Sequence, residues 1–277
     1  MEKLNFKDKT VLITGGASGI GKIMGRLVLE KGAKLIIWDI DHKNLDHTLT
    51  EFLALGSASG DCVDITNFDL VKETATKIKD RFGFVDVLIN NAGIVVGKYF
   101  HEHSRDDIQR TMNLNANAPI HLTLEFLGEM MLRNSGHICN IASSAGLISN
   151  PGMSVYVASK WALTGWSDSL RIEMTQLNRN IGVTTVTPYY INTGMFDGVK
   201  SKIPLLDPGK ASAKIIRAIE NRRIYMSMPW SMQFVRFFQG LLPIWFFDWF
   251  VGKVMGVYST MEYYKGRTIE KNYEGSN

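Results

Sequence analysis

The chain has 277 residues, of which 45% are hydrophobic and 21% charged, and its formal net charge is +4. This length can bury a full hydrophobic core, which excludes a small fold stapled by disulfides or metal, and the mild charge gives no indication of a nucleic-acid partner. The two cysteines, Cys62 and Cys139, favour a reducing compartment in which both remain thiols.

Hydropathy along the chain predicts a cytoplasmic protein. The first ten residues contain no continuous apolar run, so neither a signal peptide nor a membrane anchor is predicted there. The longest uncharged apolar stretch near the C-terminus is residues 237–247, whereas a helix that spans a bilayer needs about 20 apolar residues. Peripheral attachment to a membrane stays open as an alternative.

Strand-like and helix-like segments alternate along the chain. Strands are predicted at residues 10–14, 34–38, within 60–65, at 85–89, 137–141 and 183–187, and helices after the first glycine turn and near 41–55, 67–82, 105–133 and 155–177. This alternation indicates right-handed βαβ units, and therefore an α/β fold with a single-domain, Rossmann-type doubly wound parallel sheet.

The domain prediction covers residues 1–277 as one dinucleotide-binding domain. Within it, residues 194–256 are expected to form a substrate lid and a helical, aromatic-rich C-terminal extension. The charged, Tyr-rich tail from about Gly252 is expected to be poorly ordered.

The first turn, TGGASGIG at residues 14–21, follows a strand and opens a helix, which is the context of a dinucleotide site. Gly15, Gly19 and Gly21 permit a tight turn and close approach of the backbone to a pyrophosphate, and the helix N-terminus supplies free N–H groups. Ser18 and Ile20 of the same turn are included in the predicted cofactor contacts. Because the spacing differs from the usual Gly-x-Gly-x-x-Gly, an ordinary strand-to-helix turn is the alternative.

Asp39 stands at the end of the second predicted strand, 24 residues after Gly15. A carboxylate there can accept hydrogen bonds from both adenosine ribose hydroxyls, and it would repel a 2′-phosphate. Residues 15–18 hold no Lys or Arg, so NAD is predicted rather than NADP. The alternative is a surface aspartate that caps the next helix. Asp64 and Ile65, after the third strand, are weaker candidates for contact with the adenine.

Four motifs then occur in a fixed order. They are TGGASGIG, NNAG at residues 90–93, Ser143 placed 13 residues before Tyr156, and YVASK, which puts Lys160 four residues after that tyrosine. Together, over residues 8–195, they resemble the short-chain dehydrogenase/reductase family. The segment PYYINTGMF and the aromatic C-terminal region are similar, more loosely, to the branch that contains retinol dehydrogenases and 17β-hydroxysteroid dehydrogenases.

The residue types explain an acid/base function. Hydride transfer at a carbinol requires a group that gives or takes a proton on the oxygen. Tyrosine, with an ordinary pKa near about 10, is a weak base at neutral pH, and a lysine one helical turn away favours the phenolate. Tyr156 and Lys160 are therefore the predicted acid/base pair, and Ser143 is predicted to polarise the substrate oxygen, with Ser144 as its neighbouring alternative.

The family resemblance implies further roles. Lys160 also binds the nicotinamide ribose, and the backbone carbonyl of Asn115 holds a water that links Lys160 to solvent, with Asn113 and Asn117 as competing neighbours. The resemblance also implies cofactor contacts from Asn91, Ala92, Gly93, the backbone of Ile191, and Thr193. Tyr189 stands where the family usually has glycine, but the expected carboxamide contact comes from the main chain.

The C-terminal third has an unusual composition. Between Gly198 and Arg236 there are eight Lys or Arg residues and two acidic residues. Nine aromatic residues lie between Trp230 and Phe250. Such a segment is typical of a helix at a membrane interface, and it equally suits a lid over a lipid-like alcohol. The third interpretation is a helix in the core or at a subunit contact. The predicted substrate is a hydrophobic, retinoid-like or steroid-like alcohol or ketone, with peripheral membrane contact through residues 229–256.

The predicted function is an NAD-dependent alcohol dehydrogenase or ketone reductase. The alternative is an NAD-binding or membrane-surface scaffold protein without turnover. His101 and His103 have a spacing that could bind metal, but no cysteine or further histidine accompanies them, so no metal is predicted. The resemblance implies a homodimer or homotetramer formed through the long helices near 105–133 and 155–177.

Overall fold

Seven parallel strands form one sheet in the order β3-β2-β1-β4-β5-β6-β7 in the computed structural model, which describes residues 2–266. The strands are β1 Thr10–Thr14, β2 Lys34–Asp39, β3 Ala58–Cys62, β4 Val87–Asn90, β5 Gly136–Ile141, β6 Ile181–Pro188 and β7 Tyr225–Met228. The direction of winding reverses between β1 and β4, where doubly wound sheets bind their ligands. The predicted Rossmann-type fold is confirmed.

Helices cover both faces of this sheet. They are α1 Gly19–Glu30, α2 His42–Leu53, α3 Phe68–Phe82, α4 Arg105–Met112, α5 Ala118–Leu132, α6 Ser154–Gln176, α7 Pro208–Glu220, α8 Val235–Leu241 and α9 Ile244–Trp249. Alternate residues of β1 face opposite sides: Val11 and Ile13 pack with α1, α2 and α7, whereas Leu12 packs with α3, α5 and α6. Both faces are therefore buried, as the apolar strands require.

Three element predictions need correction. The predicted helix at 105–133 is divided into α4 and α5 by a π-helical turn at Asn113–Asn117. The third strand begins at Ala58, earlier than predicted, because this edge strand pairs only with β2 and its half-exposed residues carry little apolar signal. No strand is predicted at Tyr225–Met228, since the short run YMSM is too weak a pattern, yet it extends the sheet beside β6.

The predicted lid segment, residues 194–256, is divided between two roles. α7 packs against α1, and β7 completes the sheet, so both belong to the Rossmann layers. The part after β7 forms short helical turns that pack beside the loops following β5 and β6, through contacts with Ile148 and Tyr190.

The C-terminal tail is folded through Gly266, which contradicts the expectation of poor order from Gly252 over this range. Thr260 is 0% exposed, and its hydroxyl oxygen lies 2.9 Å from both the Asn150 amide nitrogen and the Tyr190 hydroxyl. These contacts join residues distant in sequence, so composition could not predict them. The rest of the predicted tail, residues 267–277, lies outside the described residues.

Two general features complete the fold. Cys62 is an exposed free thiol at the sheet edge, and Cys139 is a buried free thiol in β5, as predicted. Across residues 2–266, no helix is both long enough and apolar enough to cross a bilayer.

Candidate active site

The first βα turn is shaped so that only glycine fits at its key positions. Gly15 and Gly19 have φ angles of +64° and +54°, in the left-handed region that side chains disfavour. A Cβ on Gly21 would collide with the carbonyl oxygen of Gly15, because the first turn of α1 lies directly against the turn backbone. The resulting bare backbone at the start of α1, with Ser18 as N-cap and Ile20 half-buried, fits a dinucleotide pyrophosphate.

Asp39 lies beside this turn at the end of β2. Its Oδ2 accepts a hydrogen bond from the backbone N–H of Ala17 at 2.9 Å, and its Oδ1 accepts one from the backbone N–H of Asp41 at 3.1 Å. The helix-cap alternative is wrong, since Asp41 is the residue that caps α2, with its side chain accepting from the N–H of Asn44. The carboxylate of Asp39 is thus held beside the glycine turn, at the end of β2.

The second predicted acid has a local structural role. Asp64 accepts hydrogen bonds through Oδ1 from both the N–H and the hydroxyl of Thr66, at 2.9 and 2.7 Å. The following residue, Ile65, is buried in the core on the α3 side of the sheet. Asp64 and Ile65 therefore follow the end of β3, whose last residue is in register with Asp39 on β2.

The NNAG loop connects β4 to the glycine turn. The side-chain amide of Asn91 donates to the carbonyls of Thr14 and Gly15 at 2.9 and 3.0 Å. The backbone N–H groups of Asn91 and Ala92 both donate to the Thr14 hydroxyl. A Cβ on Gly93 would lie 3.0 Å from the Asn115 Oδ1 and 3.6 Å from the Lys160 Nζ, so this glycine brings the loop close to the catalytic candidates.

The segment after β6 passes the same turn. Thr193 lies opposite Gly19, where an added Cβ would be 3.8 Å from the threonine Cβ. Ile191 forms a backbone bridge with Leu206. Tyr189, which occupies the usual glycine position, keeps the sheet register by donating its N–H to Met228, and its hydroxyl lies 2.9 Å from Ser201 Oγ. The local backbone thus accommodates tyrosine with its side chain in a hydrophobic cluster.

Ser143, Tyr156 and Lys160 come together at the ends of β5 and α6. The Ser143 hydroxyl lies close enough to the Tyr156 phenol to lower its pKa, and all three residues are buried. The Lys160 Nζ lies 5.7 Å from the centroid of the Tyr156 ring and donates to the carbonyl oxygen of Ile141 at 3.0 Å. The structure thus pairs Tyr156 with Ser143 rather than with the neighbouring Ser144.

Burial dominates the acid–base properties of this cluster. It raises the pKa of Tyr156 to about 12, an effect that the hydrogen bond with Ser143 opposes, and it lowers the pKa of Lys160 to about 8. That Lys160 favours the phenolate form of Tyr156 therefore stays a prediction. The Lys160 ammonium donates to the Ile141 carbonyl, and removal of water from the Tyr156 phenolate is the largest cause of its raised pKa.

Asn115 lies at the centre of the π-helical turn and is 0% exposed. Its Oδ1 accepts from the N–H of Ile94, while its amide donates to the Ile94 carbonyl and to Ser159 Oγ. The competing Asn113 and Asn117 bond to each other at the surface. A π turn disrupts the regular helical bonding, and such turns are frequent at functional sites.

Two buried polar networks support the site, and no sequence motif predicts them. Asn90 donates to Asn140 at 2.8 Å, and Asn140 donates to Ser167, which ties β4, β5 and α6 together. The second network joins Asn150, Tyr190 and Thr260. An asparagine inside the apolar strand His137–Ile141 was the available signal for the first, because buried amides need partners.

Metal binding finds no support in the described part of the chain. No group of three or more His, Cys, Asp or Glu side chains is placed to hold a metal ion among these residues. The ring of His101 lies 6.3 Å from Tyr99, and the ring of His103 lies 6.5 Å from Phe100, so both face aromatic neighbours.

A dinucleotide-type turn and a buried tyrosine–serine pair share the carboxyl edge of one sheet, an arrangement typical of oxidoreductases that transfer hydride. The family model described as short chain dehydrogenase matches residues 9–204. The chain therefore belongs to the short-chain dehydrogenase family, and the predicted oxidoreductase class is confirmed.

Relatives of established name agree with this family. Epidermal retinol dehydrogenase 2 of Mus musculus is 36% identical over 247 residues, which cover 87% of this chain and 80% of that protein. Estradiol 17-beta-dehydrogenase 11 of Pongo abelii is 30% identical over 236 residues, which cover 84% and 79%. The predicted similarity to this branch is confirmed.

Solved structures share the fold. A short chain dehydrogenase/reductase from Burkholderia phymatum in complex with NAD superposes with a TM-score of 0.78 at 26% identity, covering 84% of this chain and 93% of that one. A metagenomic short-chain oxidoreductase in complex with NADP gives 0.69 at 26% identity, covering 81% and 96%. Both nicotinamide cofactors thus occur among proteins of this fold.

Proposed function

We propose that this protein interconverts a hydrophobic alcohol and its carbonyl compound with NAD(H), using Tyr156 as general acid/base. The observation that carries the proposal is the buried contact between Tyr156 and Ser143, at the sheet edge that also holds the glycine turn. The position of Asp39 supports NAD over NADP, because its carboxylate would repel a 2′-phosphate.

Each residue has a role that its position supports. Ser143 holds the carbinol oxygen, and Tyr156 removes the hydroxyl proton during oxidation or returns it during reduction. NAD, when bound, supplies the hydride acceptor. Lys160 and the backbone at Asn115 connect the phenol to a proton path, and Gly15, Gly19, Gly21 and Thr193 hold the cofactor phosphates and carboxamide.

The substrate class is argued from the lining of the site. Side chains packed around Tyr156 include Met153, Phe196 and Met261, which are apolar and adaptable. A polyol would bury its hydroxyls there without partners, whereas a retinoid or steroid would bury carbon. The names of the similar proteins support the same substrate class.

A spectrophotometric panel tests this function. All-trans-retinol, 17β-estradiol and sorbitol are each incubated with the protein and either NAD or NADP, and reduced cofactor is measured. We expect turnover of an apolar alcohol, faster with NAD. Activity on the polyol alone would refute the substrate class, and a preference for NADP would refute the role of Asp39.

We also propose that the aromatic surface between Trp230 and Val254 rests on an anionic membrane. Eleven of the 26 exposed large hydrophobic side chains in the described chain lie in this short segment, including Ile244 and Trp245 at 78% and 70% exposure. A dense exposed apolar patch of this kind marks an interaction surface, and the basic residues Arg223, Arg236 and Lys253 nearby match anionic lipid headgroups.

Liposome flotation tests the membrane proposal. Vesicles of phosphatidylcholine with phosphatidylserine are mixed with wild type, with the double variant Ile244→Glu/Trp245→Glu, and with the control Leu53→Glu. Leu53 is also exposed, at 64%, but lies on α2. We expect wild type and control to float and the double variant to remain at the bottom; equal flotation of all three would contradict the proposal.

The long helices also support a homodimer. On α5, Leu124 and Leu132 are exposed on either side of Gly128, and on α6, Trp161 and Ile172 are exposed beside Gly165. A Cβ built on either glycine meets nothing within 4 Å, so a partner helix can approach closely. Large exposed apolar residues around small ones suit helix–helix packing between subunits.

A further inference from the structure

The two hydroxyls that an alcohol must reach are covered by apolar side chains. Tyr156 is only 5% exposed, and Ser143 is 8% exposed. The covering groups come from three separate parts of the chain: Val95 after β4, Phe196 after β6, and Met261 near the C-terminus. An alcohol can therefore touch Tyr156 only after at least one of these parts moves.

Residues 260–266, here called the C-terminal strap, join the other two parts. The hydroxyl oxygen of Tyr264 lies 3.3 Å from the Val95 carbonyl and 3.4 Å from the Met195 carbonyl. Because a phenol has one proton, it is shared between these two acceptors. The Tyr264 ring lies against Gly97, where a Cβ would collide with it. Tyr264 thus bridges the loop after β4 and the loop after β6.

The strap is tied to the second loop along its length. The backbone N–H of Lys265 donates to the carbonyl of Asp197 at 2.8 Å, and the N–H of Lys200 donates to the carbonyl of Thr260 at 3.2 Å. Thr260 itself is buried and hydrogen-bonded to Asn150, which fixes the start of the strap. The strap and the loop after β6 are therefore expected to move together when the bridge at Tyr264 is released.

We propose that Tyr264 is a specificity-determining residue, whose hydroxyl holds the strap closed over Tyr156 and must be displaced when a bulky apolar alcohol enters. This inference rests on the proposed alcohol oxidation. A small alcohol needs little displacement, whereas a rigid multi-ring alcohol needs the strap to open fully. The strap then adds a binding cost that grows with substrate size.

Steady-state kinetics with saturating NAD test this role through KM and kcat separately. For Tyr264→Phe, we expect the KM for estradiol to fall about 3-fold to 10-fold, the effect of losing about one neutral hydrogen bond from the closed state. The kcat should stay unchanged, and the KM for isopropanol should change less. Tyr264→Ala, which also removes the ring, should enlarge the difference between the two alcohols.

Matched variants separate the bridge from a general effect on the tail. Tyr263→Phe alters a neighbouring tyrosine that is 55% exposed and contacts Lys200, and we expect it to match wild type. Gly97→Ala should lower the KM for estradiol by pushing the Tyr264 ring away. In the Tyr264→Ala background its effect should be smaller, because the added Cβ then meets only the flexible end of Met261. The proposal would be overturned if the KM of Tyr264→Phe for estradiol were unchanged or raised.

A second readout does not depend on turnover. Hydrogen exchange followed by mass spectrometry reports the backbone N–H groups of Lys200 and Lys265, which are protected in the closed strap. Their exchange should accelerate in Tyr264→Phe and remain as in wild type in Tyr263→Phe. Unchanged exchange would refute the bridge, whereas accelerated exchange without any alcohol turnover would refute the proposed function and leave the bridge supported.

Discussion

Burial is the main cause of the altered pKa of Tyr156. The protein alone holds the phenol protonated at neutral pH, since its pKa is raised to about 12. The same environment lowers the pKa of Lys160 to about 8, which brings that amine close to titration at physiological pH. At neutral pH the phenol is therefore in the protonated form that a general acid requires, and it must lose its proton before it can act as a base.

Removal of the phenol hydroxyl tests this role most directly. For Tyr156→Phe, we expect turnover to fall by at least about 10³-fold, because general acid/base catalysis is lost. The NAD affinity, measured by quenching of tryptophan fluorescence, should be kept, since the glycine turn and Asp39 are untouched. Tyr263→Phe is the matched control, and near-normal turnover of Tyr156→Phe would contradict the assignment.

A second buried titratable residue, His137, predicts a pH dependence of stability. Thr184 donates its hydroxyl proton to the Arg223 carbonyl, so the His137 Nε2–H donates to Thr184, while the buried Nδ1 has no hydrogen-bond partner among the described residues. Burial lowers the pKa of His137 from 6.5 to about 3. The unfolded chain binds a proton below pH 6.5 that the folded protein excludes, so stability falls as pH decreases from there towards 3.

Urea unfolding at two pH values measures this effect. Between about pH 6.5 and pH 5, the single histidine should remove about 1.6 kcal/mol from the free energy of unfolding. His137→Gln does not titrate, so its loss over the same interval should be smaller by that amount. Equal losses of unfolding free energy in wild type and His137→Gln would show that His137 does not control the fall in stability at acid pH.

At the scale of elements, the turn between β1 and α1 depends on a close approach of backbone to backbone. The Cβ of an alanine at position 21 would collide with the Gly15 carbonyl, so Gly21→Ala must displace the turn that faces the pyrophosphate. We expect the NAD dissociation constant to rise by at least about 10-fold, since phosphate binding relies on these backbone N–H groups.

The control for this change is Gly209→Ala. Gly209 is exposed in the first turn of α7, and a Cβ there meets Asp207 at an ordinary 3.4 Å. Calorimetric titration of NAD should give wild-type affinity for this variant. An equal loss of affinity in both variants would mean that position 21 acts through stability and not through the shape of the turn.

Local sequence patterns predicted the elements that have a strong hydropathy pattern or a recognisable motif. The strands β1 and β2 contain continuous apolar runs, and the glycine turn and YVASK are recognisable by residue type. β7 could not be predicted, because the run YMSM gains its apolar environment only from neighbours far away in sequence. The same reason applies to Tyr264, whose partners Val95 and Met195 lie 169 and 69 residues away.

At the scale of the whole molecule, the exposed stripes on α5 and α6 predict self-association. Size-exclusion chromatography with light scattering should give at least twice the chain mass of 31.1 kDa. The double variant Leu124→Glu/Trp161→Glu places charges on both stripes and should elute as a monomer, because a desolvated carboxylate without a partner opposes the contact.

The control for self-association is Leu53→Glu, which alters an exposed leucine on α2. It should elute with the wild type. A wild-type protein that elutes as a monomer would refute the dimer, and a double variant that keeps the larger mass would place the subunit contact on another surface.

The unequal exposure of the two thiols gives the native chain a built-in labelling site. Burial raises the pKa of the Cys139 thiol and shields it from reagents, whereas Cys62 is exposed on the edge strand. Cys62 is in register with Asp39 on the neighbouring strand, and its Sγ lies 3.4 Å from the Ile40 carbonyl. A maleimide fluorophore would therefore attach at one position, where its emission would report arrival of the adenosine half of the coenzyme without any engineered cysteine.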